Sequence, residues 1–409
     1  MGLLPTTTRP YRRSRWRRRL VRALILIFII WNLTELHLIV RRLSETDTIY
    51  HEEPLRHERI YIAGVHWNNE IILRDYWNQA VIELSQKLGP ENVFISIYES
   101  GSYDDTKGAL KELDGELERL DVPRNITLSP VTHEDEILAP SGGGEGWIEG
   151  PTGEKELRRI PYLSRVRNLS LRPLEDLARQ GITFDKILFL NDVVFSSSDV
   201  FELLDTNNGE YAAACSLDFS KPPRYYDTFA LRDSQGHEAL MQTWPYFRSA
   251  SSRHAMKTMS PVPVTSCWNG IVAMPTAPFL ASPPLRFRGI PDTLATSHLE
   301  GSECCLIHAD SPLSAPQGVY LNPLVRVGYN GAAYDAVHPT RNWLSARRIL
   351  QGLWINRLRR WTTTVWFKER TVRNRVARWM ALGDRNREPG LFCVINEMQL
   401  LRPLGWAHA

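Results

Sequence analysis

Asn191 and Asp192 end the apolar run Lys186-Ile-Leu-Phe-Leu-Asn-Asp-Val-Val-Phe195, whose Ile, Leu and Phe residues predict a buried strand. Packing explains a carboxylate poorly at that point. At the carboxyl edge of an open sheet it can meet a metal ion or a ligand. The competing explanation, an aspartate that starts a helix, fits Asp199 ahead of residues 200–204 better than Asp192. Asp218, in Cys215-Ser-Leu-Asp-Phe219, ends the next strand-like run and is a second candidate, or else a cap for the turn before Pro222 and Pro223. Hard oxygen ligands suit Mn2+ or Mg2+, so Asp192 is expected to hold a divalent cation. His308, in the dense ionisable stretch 301–310, is the candidate to complete its shell, although a histidine after an apolar pair also serves structure.

A cation beside a buried strand suits transfer from a sugar nucleotide. That chemistry needs stabilisation of a departing diphosphate, a grip on base and sugar, and an oriented acceptor hydroxyl. Arg165, Arg167 and Asn168, just before the acidic strand, are candidate donor-binding residues, since arginine can clamp a phosphate bidentately. Arg165 and Asn168 lie three apart and share a helix face, which turns Arg167 elsewhere. Asn191, Trp268 as a stacking platform and Asn269 as a hydrogen-bond partner extend the donor set, Trp268 and Asn269 from a loop ahead of an apolar strand. Glu303 could orient the acceptor hydroxyl, and Glu303 and Asp218 are the candidate catalytic carboxylates.

The elements that must position these groups alternate. Strands are expected at 59–64, 92–98, 125–128 and 186–190, with helices at 70–88, 106–120 and 162–180 and a Gly-rich loop at 141–153. Alternation of this kind predicts an α/β fold with a mainly parallel sheet and ligands at its carboxyl edge. After Gly209 the chain turns irregular, with a strand-like run at 211–216. The expected division is a basic tail at 1–22, a membrane helix at 23–40, a stem at 41–58, a transferase domain at 59–337 and a basic extension at 338–409.

Eight arginines precede any acidic residue, and an apolar segment follows at once. That order predicts a signal-anchor with a cytoplasmic amino terminus and a lumenal body. A helix over 23–40 would reach about 27 Å, a short anchor weakened by Glu35 and His37. A cleaved signal peptide is disfavoured, because no small-x-small site follows Trp31. The sequons at Asn125 and Asn168 agree with a lumenal body, though Asn168 cannot both face a donor and carry glycan; that at Asn32 falls inside the anchor. The leading arginines and the +10 excess after residue 340 leave residues 23–340 near −15, which disfavours nucleic acid as a partner. Five cysteines are too few for a disulfide-built fold, and Cys267 with Cys304 or Cys305 allows one bridge. The arginine- and Trp-rich stretch 341–387 predicts a solvated helix packed on the body, with an interfacial helix on acidic lipid as the alternative.

Several segments, in order, carry a family resemblance: Ile62-Ala-Gly-Val-His-Trp-Asn-Asn69, Arg165-Val-Arg-Asn168, Phe189-Leu-Asn-Asp-Val-Val-Phe195, Cys215-Ser-Leu-Asp-Phe219, Tyr226-Asp-Thr-Phe229, Ser266-Cys-Trp-Asn-Gly-Ile-Val-Ala-Met274, Ser302-Glu-Cys-Cys-Leu306 and Tyr320-Leu-Asn-Pro-Leu-Val-Arg326. Together they resemble the fungal α-1,3-mannosyltransferases of glycosyltransferase family 69, the cryptococcal capsule-associated type. The resemblance runs from about residue 59 to 329. It implies a GT-A-like nucleotide-sugar-binding fold, GDP-mannose as donor, retention of the α-anomer and a cation at the acidic motif. Leu190 stands where the common Asp-x-Asp form has its first carboxylate. The acceptor would be a glycan on a polysaccharide, glycoprotein or glycolipid, met at a Golgi or endoplasmic reticulum membrane. The alternatives are another nucleotide sugar, or an inactive membrane-tethered glycan-binding subunit.

Overall fold

The computed structural model describes residues 11–46, 58–139, 144–150, 153–340 and 342–408. Ten strands form its sheet: β1 (Ile60–His66), β2 (Val93–Glu99), β3 (Arg124–Leu128), β4 (Lys186–Leu190), β5 (Ala213–Lys221), β6 (Arg224–Tyr225), β7 (Arg232–Asp233), β8 (Val262–Ser266), β9 (Ile271–Pro275) and β10 (Val319–Gly328). Their order is β3-β2-β1-β4-β9-β5-β10-β8-β7, with β6 paired onto β5. The run β3-β2-β1-β4 is parallel, as is the β5–β10 pair, whereas β9 lies antiparallel between β4 and β5. The α/β class expected from the alternation is the one the chain adopts.

Register decides where the site lies. Gly64 and Ile271 flank Leu190 on either side, so Val65–Asn69, Asn191–Asp192 and Asn269–Gly270 emerge together at one edge. Asp218 pairs with Val327, which brings the ends of β5 and β10 to the same edge. Both sheet faces are covered. Ile60, Ile62, Leu188 and Leu190 pack on one side with Trp77 and Leu110, while Tyr61, Ala63, Ile187 and Phe189 pack on the other. Burial on both faces is why β1 and β4 read as continuous apolar runs.

The helices expected at 70–88 and 106–120 form, the first with a π turn over Leu73–Trp77 and the second as Thr106–Arg119. The single helix expected over 162–180 is instead two, α-helices Arg159–Ser170 and Arg172–Arg179, because Pro173 can open a helix but not continue one. Within the expected 141–153 loop, Trp147–Glu149 forms a strand paired with Lys155–Leu157.

The amino-terminal helix α1 (Tyr11–Thr46) is longer than the 18-residue anchor expected, and is the one described helix long and apolar enough to cross a membrane. Its last turns, over 41–46, occupy part of the expected stem; residues 47–57 lie outside the described residues. Ile39 and Leu43 of α1 are buried and belong to the same core cluster as Phe184 and Trp244.

Residues after 337, which sequence set outside the transferase domain as an extension packed on it, are tied to the body covalently and by strand pairing. Cys393 is bonded to Cys305, and Val394–Ile395 pairs with Glu300–Gly301. The second disulfide joins Cys215 of β5 to Cys267 just past β8, and Cys304 is a buried free thiol. Both bridges differ from the 267–304/305 pairing expected. The partners lie 52 and 88 residues apart in sequence, and only the fold brings them together.

Candidate active site

A cleft of about 820 Å3 opens at the carboxyl edge of the sheet, lined among others by Trp67, Asn69, Arg159, Arg167, Asn191, Asp192, Asp227, Trp268, Glu303 and Tyr329. Asp192 sits one residue beyond Asn191, which the sheet edge pins in place. The Asn191 amide donates to the Gly270 carbonyl at 3.0 Å, and its own carbonyl accepts the Trp77 indole N–H at 3.0 Å. Asn69 Nδ2 donates to Asp192 Oδ2 at 3.0 Å, and Asn69 Oδ1 accepts the Trp67 backbone N–H at 3.0 Å, so its amide orientation is determined. Burial raises the Asp192 carboxyl to about pKa 6, against the smaller opposing effect of that hydrogen bond.

Arg167 points into the cleft. Its guanidinium lies 4.6 Å over the Trp268 ring and its Nε donates to Glu303 Oε1 at 3.1 Å. Trp268 in turn donates its indole N–H to Asn191 Oδ1 at 3.1 Å. One chain of contacts therefore joins Glu303, Arg167, Trp268 and Asn191. Arg159, about two turns earlier on the same helix, donates to Gln399 and lies 4.8 Å over the Trp406 ring. Both aromatic and amide partners come from the last stretch of the chain.

Two sequence-based assignments on this helix are overturned. Arg165 is exposed and pairs with Glu136 at 2.6 Å, outside the cleft. Asn168 bonds both ways with the Phe287 backbone, donating at 2.8 Å and accepting at 3.0 Å, which makes it a brace between segments outside the cleft. The arginine turned away from Asn168 is thus the one that reaches the cleft.

Asp218 is buried beneath the cleft wall and does not line it. It accepts from Asn269 Nδ2 at 2.9 Å, from the Asp227 N–H at 3.2 Å and from Tyr329 Oη at 3.2 Å. Burial, then the neighbouring Asp227 charge, raises it to about 7. Asn269 is likewise buried, held between Asp218 and the Asp227 carbonyl, so its hydrogen bonds go to protein. Asn269 and Gly270 both take positive φ, and a Cβ at Gly270 would run into Val327. The carboxylate that this arrangement presents to the cleft is Asp227, whose own pKa burial also raises. Asp192, Asp218 and Asp227 all act electrostatically on the Tyr329 phenol, which with burial holds its proton tightly.

His308 is buried, with Nε2 2.7 Å from the Cys267 carbonyl, and it does not line the cleft. It clusters with Cys215 and Cys267, but those sulfurs are spent in a disulfide and cannot ligate a metal. The cation shell expected of Asp192 and His308 is therefore not formed by that pair. Asp192 fits a divalent cation on other grounds: it is a half-buried carboxylate with an amide hydrogen bond and, among the described residues, no ion-pair partner. Asp227 adds a second hard oxygen group on the same cleft. Sequence reasoning passed over Asn69 and Asp227 as site residues, although both lie in segments that carried the resemblance. Arg159 and Trp406 gave no local signal.

The family described as Cryptococcal mannosyltransferase 1 matches residues 59–310. The α-1,3-mannosyltransferase CMT1 of Cryptococcus neoformans var. neoformans serotype D is 26% identical over 282 residues, covering 64% of this chain and 55% of that protein. The chain thus matches little more than half the length of this curated relative. Among solved structures, the mannosyltransferase PcManGT from Pyrobaculum calidifontis, in complex with GDP-Man and Mn2+, aligns over 90% of this chain and 88% of its own at 10% identity, with a TM-score of 0.38. GalNAc-T7 with UDP, GalNAc and Mn2+ aligns over 66% of this chain and 43% of its own at 12% identity, with a TM-score of 0.38. On the match across 59–310, which bears out the resemblance read from its segments, the chain belongs to the Cryptococcal mannosyltransferase 1 family.

Proposed function

We propose that the chain is a GT-A-like glycosyltransferase that moves mannose from GDP-mannose to a hydroxyl of a glycan acceptor, forming an α-1,3 linkage with retention. The α1 helix anchors it in a Golgi or endoplasmic reticulum membrane with the body in the lumen. The observation that carries the reading is the joining of Asp192, fixed by Asn69, to an arginine–carboxylate pair, Arg167 and Glu303, in one cleft.

Asp192 and Asp227 would hold Mn2+ or Mg2+, and the cation would supply positive charge for the departing diphosphate. Arg167 and Arg159 supply fixed positive charge from the protein, and Arg167 needs no reorganisation because Glu303 and Trp268 already hold it. Trp67, stacked on His133 at 4.3 Å, offers an apolar wall. Transfer breaks the bond from the anomeric carbon to GDP and forms one to the acceptor oxygen on the same sugar face, while the acceptor proton leaves to a base. Glu303 orients that acceptor hydroxyl. Asp218 acts from behind, positioning Asp227 through its backbone N–H.

The test is thermal melting of the full chain in detergent with GDP, UDP, and each with Mn2+ or chelator. Stabilisation by GDP and Mn2+ together, lost in chelator, supports the reading. Stabilisation by UDP alone overturns the donor, and a flat response to every nucleotide overturns the transferase assignment.

A further inference from the structure

The described side chains of α1 are exposed from Trp16 to Trp31, with arginines at 17–19 and 22; from Asn32 onward one face docks on the body while Leu33 and Leu38 stay exposed. The apolar residues 23–31, at 1.5 Å each, span about 14 Å, well short of the roughly 30 Å of hydrocarbon a membrane helix must cross. Tilting worsens the deficit. Meeting the bilayer therefore requires the body itself to enter it where α1 docks.

The element at that point is helix α2 (Ala346–Thr362). Its Trp354 packs on Phe28 and Trp31 of α1, with ring centroids 5.3 and 6.2 Å apart, and donates its indole N–H to Asn32 Oδ1 at 2.7 Å. Glu35, the charge that interrupts the anchor, is neutralised there by Lys257 at 3.1 Å and by Arg357 of α2. A paired charge of this kind is tolerable near hydrocarbon. Outward from Trp354, α2 shows a stripe at helical spacing: Leu350, Trp354, Leu358 and Trp361, with Leu358 52% and Trp361 65% exposed. Trp354 and Trp361 are 6.4 Å apart, so the apolar surface of α1 continues along α2 without a break. Arg347 begins the stripe, placed to reach headgroup phosphates from the helix end.

We propose that α2 is a membrane-interface helix, its Leu350–Trp361 stripe seated in the lipid of the leaflet on the body's side of the bilayer beside α1. This rests on the reading of α1 as a membrane anchor and goes beyond it. The transferase body is then clamped to the bilayer surface at two elements, which fixes the height of its cleft above the lipid. The charge and aromatic pattern that sequence reading divided between a solvated helix and an interfacial one belongs to the interfacial one.

The experiment places the full chain in phosphatidylcholine vesicles containing a phosphatidylcholine with a photoactivatable diazirine in its acyl chain, and maps the adducts by mass spectrometry. Adducts on both 20–31 and 350–361 support the proposal. In the variant Leu358→Glu with Trp361→Glu, two exposed positions whose replacement leaves the core intact, the second set is lost and the first retained. Adducts on 20–31 alone in the unaltered chain overturn the proposal while keeping the anchor. Adducts on neither segment overturn the anchor reading and the proposal together.

Discussion

Replacing Asp192 by asparagine should stabilise the resting protein while abolishing its turnover. The substitution keeps the shape and an oxygen acceptor for Asn69 Nδ2, and removes only the charge. Burial lifts this carboxyl from 3.8 to about 6, so the native state binds its proton more tightly than the unfolded chain. At about 1.36 kcal/mol per pH unit, the ionised form costs roughly 3 kcal/mol of stability at pH 7, and solvent reaching the half-buried group reduces that to about 1–2 kcal/mol. The sign is that of a raised carboxylate. Stability is full below about pH 4 and is lost as pH rises toward 6. In chelator at pH 7.5, Asp192→Asn should therefore melt about 1–2 °C above the unaltered protein, and the gap should close as pH falls toward 4. With Mn2+ at a hundredfold excess over its dissociation constant, the unaltered protein gains about 2.7 kcal/mol and the order reverses. Mannose transfer should fall by about 10²- to 10³-fold or more in the variant. Differential scanning fluorimetry with and without Mn2+ measures the first two effects, and radiolabelled transfer the third. A variant that melts below the unaltered protein in chelator, or that keeps its turnover, refutes the reasoning.

Arg167→Lys should lower transfer by about tenfold or more, because a lysine loses the planar stacking on Trp268, whereas Arg165→Ala should stay within about twofold; equal losses in steady-state assays would contradict the geometry. Cys393→Ser opens the bridge to Cys305 and should cost about 2–5 kcal/mol, read as a lowered melting temperature. Activity should fall with it, since Gln399 and Trp406 beyond that bridge contact Arg159 on the cleft wall. Expression in a secretory host should attach glycan at exposed Asn125 and leave Asn168 bare, so Asn125→Gln alone shifts gel mobility. A shift from Asn168→Gln would mean that its bonds to the Phe287 backbone do not hold in the folded chain.

Much of the fold was legible because local rules and tertiary structure agree. Apolar runs become strands buried on both faces, and the position of Asp192 just past one of them places it at the sheet edge. Helix phase was less forgiving. A three-residue spacing suggested a shared face for Arg165 and Asn168, but they meet different partners, Glu136 and the Phe287 backbone, and it is Arg167 that the fold turns into the cleft. Asp218 illustrates a different loss. From sequence it resembles Asp192 at a strand end, yet β5 runs on to Lys221, and the turn at 226–229 folds back over Asp218 and presents Asp227 to the cleft instead. The cleft residues near the carboxyl end were invisible because they arrive by pairings more than two hundred residues apart, such as Arg159 with Gln399. His308 follows the ordinary rule that a histidine beside apolar neighbours packs in the interior.

The central claim is mannosyl transfer from GDP-mannose at the Asp192 cleft. The most direct measurement incubates the full chain with radiolabelled GDP-mannose, Mn2+ and a mannoside acceptor, and determines the product linkage by NMR. The account predicts an α-1,3-linked mannose formed with retention, absent in chelator and in Asp192→Asn. Transfer from a different nucleotide sugar, or transfer that persists in Asp192→Asn, would contradict it.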